Sequence, residues 1–294
     1  MVIIMKQFLY GILALACLAG LTACGGKEEV PTSAASKGTA QEQCHIYTTQ
    51  VQYTGEDDPV QYLEIAARSA HLLAELEDKA GAFVADFYNY QAMDDAGTPL
   101  YTMNGMQFAE EIDPNGHCIR VSRNYFAHNP IETADGSNLT EQFVYDDLTL
   151  NLLVPEKYQD MEEDIVAAHR ERFYFEKVEA ENSYNQEAGI SDRMNIAKED
   201  LKINIIYVKD GQDYFSFRSD CAPQTGCHVE DPVVQIYTGN IHCNYAHSFM
   251  SQWVYIPSEA ESAEEAYQEI SDMIRSCGAE ESVQKLVASA VANS

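Results

Sequence analysis

The sequence predicts an α+β protein with a mixed, mainly antiparallel sheet and helices packed against it. Its 294 residues are 46% hydrophobic, which is enough apolar material to bury a core. Strand-like and helix-like segments both occur, without the regular alternation that is typical of parallel α/β folds. We find no internal repeat, which excludes solenoids and coiled coils.

The first residues have the features of an export signal. Lys6 precedes a short apolar run at residues 8–20, and residues 21–24 read Leu-Thr-Ala-Cys. This order is typical of a signal peptide, and the run is too short to predict a spanning helix. The motif resembles the lipobox of bacterial lipoproteins, which implies a diacylglyceryl thioether on Cys24. The alternatives are an ordinary secretory signal or an uncleaved anchor in which the cysteine occurs by chance.

The lipobox divides the chain into three parts. Residues 1–23 are the predicted signal peptide, residues 24–43 are the lipidated cysteine and a polar, flexible tether, and residues 44–294 are the predicted α+β body. Two or three acyl chains, at about 0.8 kcal/mol per buried methylene, anchor a protein stably. We therefore expect a lipid-anchored protein of the cell membrane that faces outside the cytoplasm, with no cofactor besides the lipid on Cys24.

Four elements are predicted in the first half of the body. Residues 59–79 place apolar side chains at helical spacing, with an aspartate before them as a cap. Residues 82–93 are rich in aromatic side chains and run into a turn, which favours a strand. Two further strands are predicted at residues 100–103 and 118–126.

The second half begins with a strand and a long helix. Residues 148–154 form an apolar run that ends at a proline, and residues 156–178 are rich in helix formers. Residues 201–208 and 214–217 flank an Asp-Gly pair. Because Asp-Gly between β-forming segments is a strong turn signal, these two segments predict a β-hairpin.

The last predicted elements are two strands and a helical tail. The strands are at residues 233–237 and 249–256, and the tail from residue 258 is divided into two helical pieces by Gly278. Pro130 and the polar residues after it are typical of a boundary, so the body is expected to be one domain or to divide near residues 130–140.

Four short blocks in the middle of the chain resemble a known family. They read RVSRNYFAHNPI, LTLNLLVPEKY, LKINIIYVKDGQDYFSF and DPVVQIYTGN, and they lie at residues 120–131, 148–158, 201–217 and 231–240. In this order they resemble the extracytoplasmic region of bacteriocin-associated, FtsX/MacB-like ABC-transporter permeases of Gram-positive bacteria. The resemblance implies an extracytoplasmic domain that works with a transporter. Such permeases flank this region with transmembrane helices, whereas this chain carries the lipobox, which favours an accessory, competing or sensing role.

Six cysteines remain after Cys17 of the signal peptide and Cys24 are set aside. They are Cys44, Cys118, Cys221, Cys227, Cys243 and Cys277. An even number in an exported chain favours disulfides, although the sequence alone does not choose among the pairings. Cys221 and Cys227 are the most local candidate pair, because a proline and a glycine between them favour the chain reversal that a bridge needs.

A metal site is the alternative use of these residues. Thiolate and imidazole are ligands that zinc and copper prefer. The candidate ligands are Cys221, Cys227, His228, His242, Cys243 and His247. Their spacing contains neither a CxxC pair nor a helical HxxxH pair. Neighbouring residues of a strand point to opposite faces, so an adjacent histidine and cysteine cannot both bind one metal ion without a bulge or turn. Disulfides are therefore favoured over a metal site.

The net charge excludes one class of partner, and the motifs indicate no enzyme. Acidic residues outnumber basic ones 47 to 18, a formal charge of −29 that repels phosphate backbones. Nucleic acid is therefore not an expected partner. The chain contains no nucleophile elbow, zinc-protease helix, P-loop or EF-hand loop. We expect a protein that binds rather than one that catalyses.

Two functions follow from these observations. The first is a membrane-anchored lipoprotein that binds a protein or peptide outside the cytoplasm, as an accessory to an ABC exporter or a bacteriocin-type system. The eighteen tyrosines fit such a role, because tyrosine is favoured at interfaces as well as at the edges of cores. The second is a lipoprotein that binds zinc or copper through the cysteines and histidines at residues 221–247.

Overall fold

A computed structural model of the protein describes residues 44–50, 58–88, 90, 112–114 and 116–289. The predicted signal peptide, the tether with Cys24 and the predicted strand at residues 100–103 lie outside these residues. The described strands are β1 (His45–Gln50), β2 (Phe83–Asp86), β3 (Cys118–Ser122), β4 (Thr149–Pro155), β5 (Lys202–Val208), β6 (Asp213–Phe215), β7 (His228–Glu230), β8 (Val233–Tyr237), β9 (Val254–Ser258) and β10 (Lys285–Ala288). The described α-helices are α1 (Pro59–Lys79), α2 (Glu162–Tyr174), α3 (Ala180–Glu187), α4 (Cys243–Met250) and α5 (Ala263–Ser276).

Eight of these strands form one sheet in the order β10-β1-β9-β2-β3-β8-β4-β5. The pairs β3/β8 and β4/β5 are parallel, and the other pairs of the sheet are antiparallel. The strands β6 and β7 form a separate antiparallel pair. This architecture confirms the predicted α+β fold with a mixed, mainly antiparallel sheet.

Both faces of the large sheet are covered. Side chains of α1, α4 and α5 pack into one core with β1, β9 and β10, and α2 packs on the end of the sheet that holds β4 and β5. On the opposite face, Phe83 and Tyr255 face each other across β2 and β9 and pack against Tyr125 and Phe217. Because both faces are covered, every residue of β3, β4 and β8 is buried.

The helix predicted at residues 59–79 is confirmed with the same bounds. The Asp58 carboxylate accepts hydrogen bonds from the backbone N–H groups of Val60 (2.8 Å) and Gln61 (3.3 Å), which caps the first turn. Its apolar stripe includes the fully buried Leu72, Leu73 and Leu76. Within the described residues, no helix has both the length and the apolar character needed to span a membrane.

The predicted strands at residues 82–93 and 118–126 are both present in part. Of the first segment the structure describes residues 82–88 and 90, of which Phe83–Asp86 form a strand and Tyr90 bridges to His117. The segment predicted at 118–126 is a strand to Ser122 and a 3-10 helix from there to residue 127. The chain turns there because the Asn124 amide donates to the carbonyl oxygens of Glu77 (2.7 Å) and Ala82 (2.9 Å), which ties it to the end of α1.

The long helix predicted at residues 156–178 is present in four segments and extends further. A 3-10 helix at Glu156–Met161 leads into α2, a π-helix at Phe175–Glu179 follows, and α3 continues to Glu187. The wider π turn allows three successive side chains, those of residues 176, 177 and 178, to be buried together.

The predicted hairpin at residues 201–217 is wrong in its pairing, although both strands exist. The strand β5 pairs with β4, whereas β6 pairs with β7. The Asp-Gly turn is held by Asp231, whose carboxylate accepts from the N–H groups of Gly211 (2.9 Å) and Gln212 (3.0 Å). Asp231 lies about twenty residues after the turn, so the conformation of the turn depends on a contact that is not local in sequence.

The strand at Val233–Tyr237 is confirmed, and the elements after it differ from prediction. Residues 243–250 form α4, so the strand predicted at 249–256 begins only at Val254. The second helical piece of the tail is the strand β10, which pairs with β1. The segment at residues 130–140 lies in the same compact unit as the other described residues, and Thr133 bridges to Val208 of β5.

Candidate functional site

Cys221 and Cys227 lie on the loop that leads into β7, and His228 is the first residue of that strand. The Cys227 N–H donates to the Ala222 carbonyl (2.9 Å), and both residues have left-handed backbone conformations, with φ values of 68° and 48°. Both thiols are free, and burial raises the pKa of the Cys221 thiol to about 11. The His228 ring packs on Phe215 with 5.0 Å between ring centroids. The turn brings the two cysteines to one place, and their disulfide remains a prediction.

His242, Cys243 and His247 lie at a different place, on and before α4. The His242 ring stacks on the ring of Tyr184 (4.8 Å, interplanar angle 6°), and its Nε2 is 3.6 Å from a carboxylate oxygen of Glu181. The Cys243 sulfur is 4.0 Å from the same Nε2. His247 Nδ1 lies 2.9 Å from the hydroxyl of the buried Ser69. Burial lowers the pKa of both histidines, which favours neutral rings.

The structure does not bring the six predicted metal ligands together. Arg218, next to the first group, contacts Gln252 and Trp253 beyond the C-terminal end of α4. His242 lies at the other end of this eight-residue helix, about 12 Å away along its axis. Within the part of the chain that the structure describes, no group of three or more His, Cys, Asp or Glu side chains is arranged to hold a metal ion.

Sequence reasoning missed a buried group of charged and polar side chains, which we call the arginine cluster: Arg120, His169, Arg172, Glu176 and Gln235. The Arg120 guanidinium donates to Glu176 Oε2 (2.5 Å) and to the side-chain oxygen of Gln235, and Arg172 Nε donates to Glu176 Oε1 (2.6 Å). The amide nitrogen of Gln235 is 3.1 Å from His169 Nδ1. Arg120 is 5% exposed and Glu176 is 1% exposed, so the ion pair is almost completely shielded from water.

Neighbouring charges and burial set the protonation states of Glu176 and His169 in the arginine cluster. Burial alone would raise the pKa of Glu176, but the guanidinium groups of Arg120 and Arg172 outweigh burial and hold that pKa below its usual range. Burial lowers the pKa of His169 to about 4, so its ring is neutral at pH 7. The cluster therefore contains two cations and one anion, with the carboxyl group of Asp86 close to Arg120.

The π-helix explains how these groups meet. It turns Glu176 toward Arg120 in β3, whose guanidinium also donates to Gln235 in β8. It turns Lys177 toward the Asn240 carbonyl (3.0 Å). Sequence offers one signal for the cluster, a polar residue in the middle of each of two apolar strands, CIRVS and VVQIY. Since its groups are buried and bonded to one another, the cluster fastens helices to the sheet rather than presenting a surface to a ligand.

Glu77, near the end of α1, is a buried carboxyl group with an unmet hydrogen-bonding atom. Its Oε1 has no hydrogen-bond partner among the described residues. Burial raises its pKa to about 7, although a hydrogen bond with Ser122 partly offsets the effect. At neutral pH this carboxyl group is therefore partly protonated.

Replacing Glu77 with glutamine is expected to make the protein more stable than the wild type above pH 7. A carboxyl group whose pKa is raised on folding stabilises the fold below its unfolded pKa of about 4.5, and that contribution is lost as the pH rises through about 7. The expected difference at pH 8 is about 1–3 kcal/mol in the free energy of unfolding. Urea unfolding at several pH values between 5 and 8 measures it, with Asp78→Asn as the exposed neighbouring control. Parallel pH profiles for the wild type and Glu77→Gln would contradict the assignment.

The basic side chains of the body are largely neutralised within the molecule. Ten lysine and arginine side chains among the described residues lie within 4.0 Å of a carboxylate oxygen. Two of them, Arg120 and Arg172, point into the core. Internal pairing leaves few cations to balance the remaining carboxylates of the surface.

The excess of acidic residues is dense around α5, in a region that we call the acidic face. Its exposed members are Glu259, Glu261, Glu264, Glu265, Glu269, Asp272, Glu280 and Glu281. Together with burial, the carboxylates of Glu265, Glu269 and Glu261 raise the pKa of Tyr47 in β1. The Tyr47 hydroxyl donates to the Ala260 carbonyl (2.6 Å), and Leu286 of β10 packs in one core with residues of α5, so the acidic face lies beside the end of the sheet that holds β1 and β10.

The chain matches no protein-family model, no curated protein and no solved structure.

Proposed function

We propose that the protein is a lipid-anchored lipoprotein whose acidic body binds a cationic protein or peptide outside the cytoplasm. It acts by binding rather than by catalysis. The observation that carries this proposal is the charge distribution, in which most cations of the described residues are paired internally. Of the eight exposed carboxylates of the acidic face, Asp272 alone is in an ion pair among the described residues, with Arg275. Such a surface attracts a partner of opposite charge and speeds its association.

The anchor part of the proposal rests on the lipobox at residues 21–24. In the full chain, expressed in a bacterium and labelled with radioactive palmitate, the wild type is expected to carry label and to sediment with membranes. Cys24→Ala is expected to lose the label and to leave the membrane fraction, because the acyl chains supply the anchoring energy. Cys17→Ala is the matched control, since that cysteine lies within the predicted signal peptide. An unlabelled wild type, or a labelled Cys24→Ala variant, would refute lipidation at Cys24.

The partner part is tested by crosslinking in native membranes, followed by purification of the lipoprotein and mass spectrometry. The resemblance to permeases makes an ABC exporter the first candidate partner. A reproducible partner with a basic extracytoplasmic segment, retained at low salt and released as salt rises, is expected from an association between opposite charges. If crosslinking captures no reproducible partner, or only partners whose binding is insensitive to salt, the proposal fails.

A further inference from the structure

The sheet ends at β10, beside the acidic face. The strand β10 pairs with β1 in the register Thr48↔Val287 and Tyr47↔Ala288, and the Ser289 N–H donates to the Ile46 carbonyl (2.8 Å). In an antiparallel pair, alternate residues direct both backbone groups toward the partner strand. Residues 287 and 289 therefore face β1, and Leu286 and Ala288 direct their N–H and C=O groups away from it. No strand of the described residues pairs with that outer side.

The strand β10 is fixed in the sheet by its pairing with β1 and by the packing of one of its side chains, so its outer edge is available for pairing with an added strand. The Leu286 side chain is buried in the core with residues of α5, whereas Lys285 and Ala288 are exposed. A groove of about 280 Å³ runs between α5 and β10, and its walls include Glu264, Tyr267 and Leu286. A strand added to β10 would place alternate side chains over this groove.

The opposite end of the sheet is protected. There the edge strand β5 is bridged at Val208 by Thr133, and the loop donates from Ala134 N–H to the Tyr207 carbonyl (2.9 Å). The Lys209 N–H in turn donates to the Glu132 carbonyl (3.0 Å). The two edges therefore differ, because a loop pairs with the end of β5 and no strand of the described residues pairs with the outer side of β10.

We propose that the outer edge of β10 pairs with an extended, lysine- or arginine-rich segment of a partner protein, which adds a strand to the sheet. Backbone hydrogen bonds to Leu286 and Ala288 provide affinity, and the acidic face selects basic side chains. A second copy of this chain is a poor occupant, since two acidic faces would then meet. This inference rests on the proposed function and names its binding surface.

The test uses the full chain in detergent and a fluorescent peptide of alternating lysine and valine as the probe. Ala288→Pro removes the outward N–H without removing a hydrogen bond to β1, so it blocks strand addition but keeps the fold. Ala288→Val keeps the donor and is the matched control. Fluorescence anisotropy is expected to show binding about tenfold weaker for Ala288→Pro than for Ala288→Val.

Two further comparisons separate backbone pairing from charge attraction. The same peptide with alternate backbone nitrogens methylated keeps its charge but loses donors, and it is expected to bind about tenfold more weakly. The triple change Glu261→Gln, Glu265→Gln and Glu269→Gln is expected to weaken binding to a similar degree. An equal loss of charge far from β10, through Glu156→Gln, Glu163→Gln and Glu199→Gln, is expected to have little effect.

The outcomes distinguish this inference from the proposed function. If Ala288→Pro and the methylated peptide bind as well as their controls, strand addition at β10 is overturned, even when a salt-sensitive partner is found in membranes. If the alternating peptide does not bind, or if sedimentation shows a dimer abolished by Ala288→Pro, the inference is also overturned. If crosslinking in membranes yields no partner, the proposed function is overturned, and with it the inference that rests on it.

Discussion

Replacing Glu176 with glutamine is expected to destabilise the folded protein by about 3–5 kcal/mol in the free energy of unfolding. Glu176 accepts from both Arg120 and Arg172, and it is 1% exposed. Glutamine keeps the size of the side chain but removes the negative charge, which leaves two guanidinium groups together in the core. Their mutual repulsion and lost solvation then oppose folding. Urea unfolding followed by circular dichroism measures the change.

The control is a pair of opposite charges on the surface. Asp272→Asn removes the partner of Arg275 on α5, where both side chains are well exposed. A loss of about 0–1 kcal/mol is expected there, because water solvates the remaining charge. If Glu176→Gln costs no more than Asp272→Asn, the arginine cluster does not stabilise the fold as its burial indicates.

Replacing Phe83 with alanine is expected to cost about 3–5 kcal/mol. The Phe83 side chain is fully buried, and its ring centroid lies 5.1 Å from that of Phe217 and 5.5 Å from that of Tyr255. The rings of Phe83, Tyr125, Phe217 and Tyr255 pack together and form what we call the aromatic layer. The smaller side chain leaves a cavity in this layer, and the neighbouring rings lose their contacts with Phe83. The midpoint of urea unfolding is expected to fall accordingly.

Ile190→Ala is the control for Phe83→Ala, because Ile190 is 42% exposed in the loop after α3. A change within about 0.5 kcal/mol is expected for it. Equal losses for the two variants would show that the aromatic layer is not a rigid part of the core.

Elements whose determinants are local could be predicted from the sequence. The helix α1 has its cap and its apolar stripe within one stretch of chain, and β8 is an uninterrupted apolar run. Both were predicted with the bounds that the structure shows. The α+β class also followed from local patterns, because it depends on which kinds of element occur and not on how they pair.

Elements that depend on distant partners could not be predicted in this way. The strand β10 lies in a sequence with good helix formers, and its strand conformation depends on β1, more than two hundred residues earlier. The Asp-Gly turn is ordered by Asp231 rather than by the segments beside it. Local patterns contain no information about either contact.

The candidate site also contains features that local sequence indicates and features that depend on distant contacts. The neighbouring cysteines and histidines drew attention to residues 221–228 and 242–247, and the structure places these groups apart. The first group lies on and beside the loop before β7, and the second lies at the start of α4 and along it. The arginine cluster joins Arg120, Glu176 and Gln235, which no sequence motif connects. Only the arrangement of β3, β8 and the π-helix brings them together.

The position of β1 in the sheet has a consequence for the order in which the protein is made. The strand β1 is the first of the described strands to be synthesised, but its neighbours β9 and β10 are the last two. During synthesis β1 therefore has no sheet partner until residue 254 and those after it have been added. Contacts between such distant segments form slowly, and this end of the sheet is completed only after residues 285–288 have been made.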